Sequence, residues 1–557
     1  MKTLDFVTII LFSLGILLSS VLISRSVRNV KNFFSAGGAI PWPMAGLSLF
    51  MGFFSAGTFV VWGSIAYTSG WVAVMIQWTM CLAGLLVGLF IAGRWRKTGA
   101  LTAAEYISDR LGVSTQKTYT ILFLFVSLFT TGSFLYPVGK ILEVSTGLPL
   151  SACIIMIGVL SILYVVAGGL RAVVITDVLQ FVILFAAVLI VIPLAFIRVD
   201  GIQAWISSVP ERFFSPVNKE YTWGFMIAYC LYNAVFLGGN WAYVQRYTTV
   251  KDRQSAKKVG FLFSALYTVC PILWMLPPMI YRVVNPSLEG LGDEGAYLLM
   301  CKGVLPAGLL GLMIGGMVFA TASSLNATLN ISSAVFTNDI FKRLRPGVSD
   351  SALMKVARIS TIAFGVLAIV VALLIPSFGG VVNVVISIGA ITGVPLYLPV
   401  IWSLFSKRQT GHSVLTVTLL SLAVNLFFKF VSPAAFGFAL SRSQEMILGV
   451  GFPFLCLALF EIYASLDGKG TARYDEYAAR VSSQKPEAVE PCAQDKADNA
   501  YSIMVVGLGV ILSGAVIAIL GLLSASGRLV VCAVGSVLVL LGAAVYAAGK
   551  KYGKRAC

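Results

Sequence analysis

The feature that most constrains this chain is an unbroken apolar run of about 20 residues, repeated from residue 5 to residue 548. Rising about 1.5 Å per residue, a helix of that length crosses the hydrocarbon core of a bilayer. Strands of a membrane barrel would instead alternate apolar and polar residues over about half that length, so the runs read as helices. Charged or Pro/Gly-rich breaks separate about fifteen candidate spans: 5–24, 42–67, 71–93, 118–145, 149–168, 172–197, 222–244, 259–281, 303–334, 356–376, 380–405, 413–431, 445–465, 501–524 and 528–548. Of the 557 residues, 58% are hydrophobic and 11% charged, against about 45–50% and about 25% in soluble domains. No soluble core could bury so much apolar surface. The sequence predicts an all-α, polytopic membrane protein.

Charge sets the orientation. With the N-terminus outside, alternate loops place on one side Arg25, Arg28 and Lys31, then Arg94, Arg96, Lys97, Arg110 and Lys117, then Arg171. The same side receives Arg246 to Lys258, Lys342 to Arg358, Lys407 and Arg408, Lys469 to Lys496, and the basic tail Lys550 to Arg555. The opposite loops are poor in Lys and Arg, and the one at 283–302 carries Glu289, Asp293 and Glu294. The positive-inside rule then predicts an inner-membrane protein with its N-terminus outside and its C-terminus in the cytoplasm. The same asymmetry accounts for the net charge of +17 without a nucleic-acid partner.

Other classes fall away on specific grounds. The first span is too long for a signal peptide and ends Ser24-Arg25-Ser26-Val27-Arg28 without a cleavage site, so it reads as a retained helix. The nine Cys are scattered, with no CxxC pair, which argues against disulfides and structural zinc. No Walker A sequence is present, so ATP is not the expected energy source. The single His, His412, sits at a loop edge. No nucleophile–base or metal constellation appears, so no enzyme is expected.

Ions and solutes bind in membranes where helices break. The second span contains Gly52-Phe53-Phe54-Ser55-Ala56-Gly57-Thr58 and the seventh Phe236-Leu237-Gly238-Gly239-Asn240. Either can lose helical bonds and free carbonyls for a cation; the bland reading is close helix packing at small residues. The ninth span is denser in oxygen donors, running Ala320-Thr321-Ala322-Ser323-Ser324-Leu325-Asn326-Ala327-Thr328-Leu329-Asn330. Ser323, Ser324 and the Ala320 carbonyl offer three neutral oxygens along one helix side, which suits sodium.

The segments Gly168-Gly169-Leu170-Arg171 through Thr176-Asp177-Val178-Leu179-Gln180, Asn240-Trp241-Ala242-Tyr243-Val244-Gln245-Arg246, and Ser323 to Arg343 resemble the sodium/solute symporters. That family includes the sodium/glucose, sodium/proline and sodium/sialic acid cotransporters. The resemblance covers about residues 5–465. It implies a LeuT-like core of two inverted five-helix repeats, spans 2–6 and 7–11, with extra flanking helices. The expected divisions are 1–41, an extra helix and cytoplasmic loop; 42–405, the transport core; 406–465, two peripheral helices; 466–500, a flexible cytoplasmic loop; and 501–557, two more helices and a basic tail.

Ligands follow from the same resemblance. The principal sodium site would use the carbonyls of Met51, Phe54 and Ala320 and the hydroxyls of Ser323 and Ser324. A second site found in some members would use Asp177 and Ser323, but Asn326 and Ala327 stand where two further hydroxyls are needed. The solute would meet Ser55, Thr58, Gln77, Asn233 and Tyr267, with Phe236 as inner gate. Tyr267 replaces a lysine and Ile386 a glutamine of the sugar carriers, and Thr130 and Thr131 lie where the sialic acid members have an arginine. The expected function is sodium-coupled import of a small polar organic solute, a sugar or sugar derivative favoured, by alternating access. Sodium is the coupling ion, with no other cofactor, and the partners are sodium, the solute and the bilayer, around a monomer. The rivals are a proton-coupled carrier, for which Asp177 is the available acid, and a solute sensor, disfavoured because no soluble module follows residue 548.

Overall fold

The computed structural model describes residues 2–24, 40–100, 102–165, 170–288, 290–345, 347–466, 472–483, 493–524 and 527–554. No strand occurs among the described residues. The principal helices are α1 (Thr3–Ser24), α2 (Trp42–Met51), α3 (Gly63–Ser69), α4 (Val72–Lys97), α5 (Ala103–Leu111), α6 (Val113–Thr146), α7 (Leu150–Val165), α8 (Leu170–Arg198), α9 (Trp223–Gly239) and α10 (Trp241–Thr248). They continue as α11 (Arg253–Val284), α12 (Leu309–Val335), α13 (Asp350–Leu374), α14 (Val381–Ser403), α15 (Gly411–Phe436), α16 (Arg442–Leu466), α17 (Ala472–Ser483), α18 (Ala493–Leu522) and α19 (Arg528–Lys554).

Among the described residues, ten helices are long and apolar enough to cross a membrane. At the remaining expected spans the apolar helix is shorter: Thr3–Phe12, Trp42–Met51, Leu150–Ile162, Trp223–Gly239 and Leu309–Ala322. Two of these are short for a local reason. α2 stops at Met51, residues 52–55 are irregular, and the chain resumes in a π-helical turn, Thr58–Trp62, that leads into α3. α9 stops at Gly239 because Asn240 turns extended (φ −63, ψ 128) and its side-chain oxygen accepts the Ala242 N–H at 3.0 Å. One residue thus ends α9 and caps α10. Both breaks fall where the glycine-rich stretches predict them.

Small residues set the helix crossings. A Cβ added at Gly260 of α11 would lie 2.7 Å from the Gly88 Cα of α4. The N-terminus of α12 is capped from a distance: the Asp5 carboxylate of α1 accepts the N–H groups of Gly308 (2.6 Å) and Gly311 (3.3 Å). An acid there matches the positive end of the helix dipole. The last two helices form a hairpin zipped by glycines every seventh residue, Gly507, Gly514 and Gly521 against Gly535, Gly542 and Gly549. A Cβ at Gly514 would sit 2.8 Å from the Gly535 carbonyl oxygen. This hairpin packs Val510, Ile517 and Leu520 on Leu179, Ile183, Ile190 and Leu194 of α8.

The polar stretch 466–500, expected to be a flexible loop, contains α17. Its aromatic side docks on α5, where Tyr477 meets Tyr106 edge-on at 5.9 Å and the Arg110 guanidinium lies 4.9 Å from the Tyr474 ring centroid. Arg480 pairs with Asp109 at 2.8 Å. Two tyrosines three residues apart make one face of an otherwise polar segment worth burying, which a reading by composition overlooks.

Candidate solute and sodium site

A cavity opens where both broken helices face α4, α6, α11 and α14. Every residue assigned to the solute or its gate lines it: Ser55, Thr58, Gln77, Asn233, Tyr267 and Phe236. Ile386 does not; its neighbours Val385 and Ile388 do. Two π-helical turns contribute wall, Thr58–Trp62 and Gly389–Gly393 of α14. Such turns redirect side chains and recur at functional sites.

The polar groups differ in how they are held. Gln77 is buried, and among the described residues its amide has no hydrogen-bond partner. Asn233 donates from Nδ2 to Thr79 Oγ1 at 2.8 Å, while Thr79 itself donates to the Ile76 carbonyl at 2.6 Å. The Thr58 hydroxyl is committed to the break, donating to the Phe53 carbonyl at 2.6 Å and accepting the Ser55 N–H at 3.2 Å. Thr58 therefore shapes the site more than it can read a solute.

An aromatic ladder runs along the facing wall, its last three rungs, Tyr229, Tyr232 and Phe236, lining the cavity. Phe225, Tyr229, Tyr232 and Phe236 of α9 stack successively at 5.3, 5.3 and 5.5 Å. Their spacing of four, three and four residues is one face of a helix, a signal that picks them out only once the seventh span is known to line the site. Tyr232 fits because α14 has glycines opposite it: a Cβ at Gly393 would lie 2.3 Å from the ring. Phe53, Trp62, Phe134, Tyr243, Tyr267 and Tyr397 add to the aromatic lining. Among the described residues, no Asp, Glu, Lys, Arg or His lines this cavity.

A second cavity adjoins the first, sharing Gly52, Val126, Thr130, Phe134, Phe236, Tyr243 and Tyr397 as the common wall. Phe236 thus stands between the two. The second cavity is charged. It is lined by Ser48, Met51, Asp177, Arg246, Ser324 and Thr328, among others. Asp177, buried on α8, accepts the Ser48 hydroxyl at 2.7 Å, and that hydroxyl lies 3.5 Å from Arg246 Nη2. Arg246 Nη1 donates to the Ala242 carbonyl at 2.9 Å.

Met51 and Ser324 of the expected sodium site line this second cavity, whereas Phe54 and Ala320 are buried without lining it. The Ala56 N–H donates to Thr321 Oγ1 at 3.1 Å, tying the break after α2 to α12 one residue from Ala320. Ser324 Oγ lies 3.4 Å from the Ala320 carbonyl. The bonds stitching the break, Phe53 and Phe54 N–H to the Phe50 carbonyl and Thr58 N–H to the Ser55 carbonyl, leave out the Met51 and Phe54 carbonyls. The side chains of Ser323, Asn326 and Ala327 lie outside the described residues, as do Gly168 and Gly169. Among the described residues no three His, Cys, Asp or Glu converge. The donors at hand are carbonyls, hydroxyls and one carboxylate, a set that fits a hard monovalent cation.

The model of the sodium:solute symporter family matches residues 33–420. The chain is 24% identical over 466 residues to the sodium/sialic acid symporter of Aliivibrio fischeri, covering 81% of this chain and 92% of that protein. It is 27% identical over 483 residues to the sodium/glucose cotransporter of Vibrio parahaemolyticus (79% and 86% covered). It is 28% identical over 476 residues to sodium/myo-inositol cotransporter 2 of Sus scrofa (76% and 69% covered). Among solved structures, a sodium-coupled sialic acid symporter in a substrate-bound outward-open state superposes with a TM-score of 0.69 at 24% identity, covering 84% of this chain and 98% of that one. The fold is that of this transporter.

Proposed function

We propose a function from one premise, that the chain belongs to the sodium:solute symporter family: it imports a neutral, polyhydroxylated solute, a sugar or cyclic polyol, coupled to sodium. It is a sodium-coupled transporter and not an enzyme. The observation carrying the solute class is the uncharged cavity. A carboxylate-bearing solute would enter a low-dielectric site with no cation to pair with, at a cost of several kcal/mol. Hydroxyls suit it better: the free Gln77 amide, the remaining donor and acceptor of Asn233, and Ser55 offer hydrogen bonds, while the Tyr232 and Phe236 rings offer faces to the apolar C–H side of a sugar ring. Sodium would bind at the Met51, Phe54 and Ala320 carbonyls and the Ser323 and Ser324 hydroxyls, clasping the break after α2 to α12. Ion binding would thereby order Ser55 and Thr58, a few residues along the same break, which couples ion to solute.

In this reading the chain crosses the inner membrane about fifteen times, N-terminus outside, and functions as a monomer. Residues 42–405 form two inverted repeats, and Phe236 opens between the cavities as the core alternates. The test is uptake into proteoliposomes under an inward sodium gradient, with labelled glucose, myo-inositol and sialic acid as probes. Glucose or myo-inositol should accumulate, and replacing sodium by potassium should abolish it. Sodium-driven uptake of sialic acid alone would refute the neutral-solute reading. Buried Asp177 supports one rival, proton coupling, which predicts accumulation driven by a pH gradient without sodium.

A further inference from the structure

On the lipid-facing side of the bundle lies a further concavity, a groove of about 390 Å³ between α4, α9, α14 and α16 that shares no residue with either cavity of the site. Its walls are wholly apolar and include Phe90, Leu231, Val235, Ile401, Trp402 and Phe454. Phe90 is 55% and Leu231 37% exposed, so the groove opens sideways, toward the hydrocarbon of the membrane.

One cation marks one end. Arg94, in the last turn of α4, donates from Nη1 to the Leu404 carbonyl at 3.4 Å, and its guanidinium lies 4.0 Å from the ring centroid of Phe405, a groove residue. No described carboxylate pairs with it. The nearby acid, Glu461, is already engaged, accepting from Ser406 (2.7 Å), Trp402 Nε1 (3.3 Å) and Gln409 Nε2 (3.4 Å) and lying 3.8 Å from Arg408. An arginine at a helix end extends toward the membrane–water interface, where headgroups lie. An apolar slot that ends at an uncompensated guanidinium is complementary to one kind of molecule: a chain of methylenes attached to an anion.

We propose that this groove binds an acyl chain of an anionic glycerophospholipid, with the phosphate held at Arg94. The site joins α4 and α9, which carry Gln77 and Asn233, to α14, which carries the opposite wall of the solute cavity. A bound lipid would therefore bridge helices that line the transport site.

The experiment uses the full chain, purified in detergent and delipidated, then titrated with dioleoylphosphatidylglycerol or dioleoylphosphatidylcholine. Thermal stability and lipid retention by native mass spectrometry are the readouts. One interfacial cation should favour the anionic lipid by about five-fold in half-saturating concentration. Arg94→Gln should erase that preference and Arg94→Lys keep it. Leu86→Trp, which fills the groove from α4, should weaken binding of both lipids. Equal binding of the two lipids by the unmodified protein overturns the proposal. So does a preference that survives both Arg94→Gln and Leu86→Trp, or stabilisation by glycerol phosphate alone to the level reached with phosphatidylglycerol.

Discussion

Truncating the two cavity amides separates a ligand group from a structural one. Gln77 makes no hydrogen bond to the described protein, so Gln77→Ala removes only what the solute supplies. One lost bond to a buried solute hydroxyl costs about 1–3 kcal/mol, a weakening of roughly 5- to 150-fold in affinity. Folding stability should hardly move. Asn233→Ala removes a solute partner and also the 2.8 Å bond to Thr79 that joins α9 to α4. That bond is worth about 1 kcal/mol, and Thr79 keeps its bond to the Ile76 carbonyl, so no orphan hydroxyl adds to the loss. In a chain of this size the melting temperature should fall by about 1–2 °C, together with a drop in affinity like that of Gln77→Ala. The assay is calorimetric titration at saturating sodium, with the solute the uptake panel selects, alongside melting curves of the same preparations. The reasoning fails if Gln77→Ala lowers yield and melting temperature while the surviving protein binds solute with unchanged affinity. Both amides would then be tying helices together rather than reading a solute.

Sodium, but not potassium, should raise the melting temperature of the purified protein, and Ser324→Ala should raise the sodium concentration for half-maximal effect; an unaltered sodium response removes Ser324 from the site. Sodium activation of uptake should show a Hill coefficient of about one, since the second site lacks a hydroxyl at Ala327. A coefficient clearly above one that collapses in Asp177→Ala would contradict this. Glu294, in the turn before residue 296, is held above its ordinary value of 4.5, chiefly by burial and against the lowering effect of its bonds from Tyr136 (2.8 Å) and the Val381 N–H (3.0 Å). With the folded-state value raised, the folded protein retains a proton the unfolded chain has lost, so this group's stabilisation is complete below the unfolded value and fades as pH rises through the raised one. Glu294→Gln should flatten that slope in melting temperature against pH; an unchanged slope assigns it to another group.

Sequence periodicity carried the helices, because twenty apolar residues in a row have few alternatives in a bilayer. It also placed both breaks: Gly52 opens a stretch of weak helix formers although its own backbone stays right-handed, and Asn240 turns extended to cap the helix that follows. The polar lining of the solute cavity was legible only through family resemblance: Gln77 and Asn233 lie 156 positions apart, and nothing local links them. The aromatic wall stayed hidden for the opposite reason. Phe236 was marked as a gate only by the resemblance, while Tyr229 and Tyr232 read as ordinary lipid-facing or packing residues until Gly389 and Gly393 show what Tyr232 faces. The glycine seam of the last hairpin had a visible period of seven, but its meaning rests on α18 and α19 packing against each other.

The separation of charge between the two cavities follows from what a buried ion costs. A carboxylate in the solute cavity would either demand a cation from every solute or remain unpaired, so a neutral solute favours a neutral wall. The acid lies instead beyond Phe236, where a departing sodium would meet Asp177. A bare carboxylate at that depth would trap the ion, since an ion pathway must bind firmly enough to admit its ion and loosely enough to release it. Asp177 is not bare. Its carboxylate accepts the Ser48 hydroxyl, and Arg246 stands one hydroxyl away at 3.5 Å from Ser48 Oγ. The guanidinium offsets part of the attraction for a second cation, and Ser48 spends one carboxylate lone pair that sodium would otherwise use. The same arrangement keeps Arg246 from being buried without an anion, so each charge makes the other tolerable in a wall that sodium is proposed to pass.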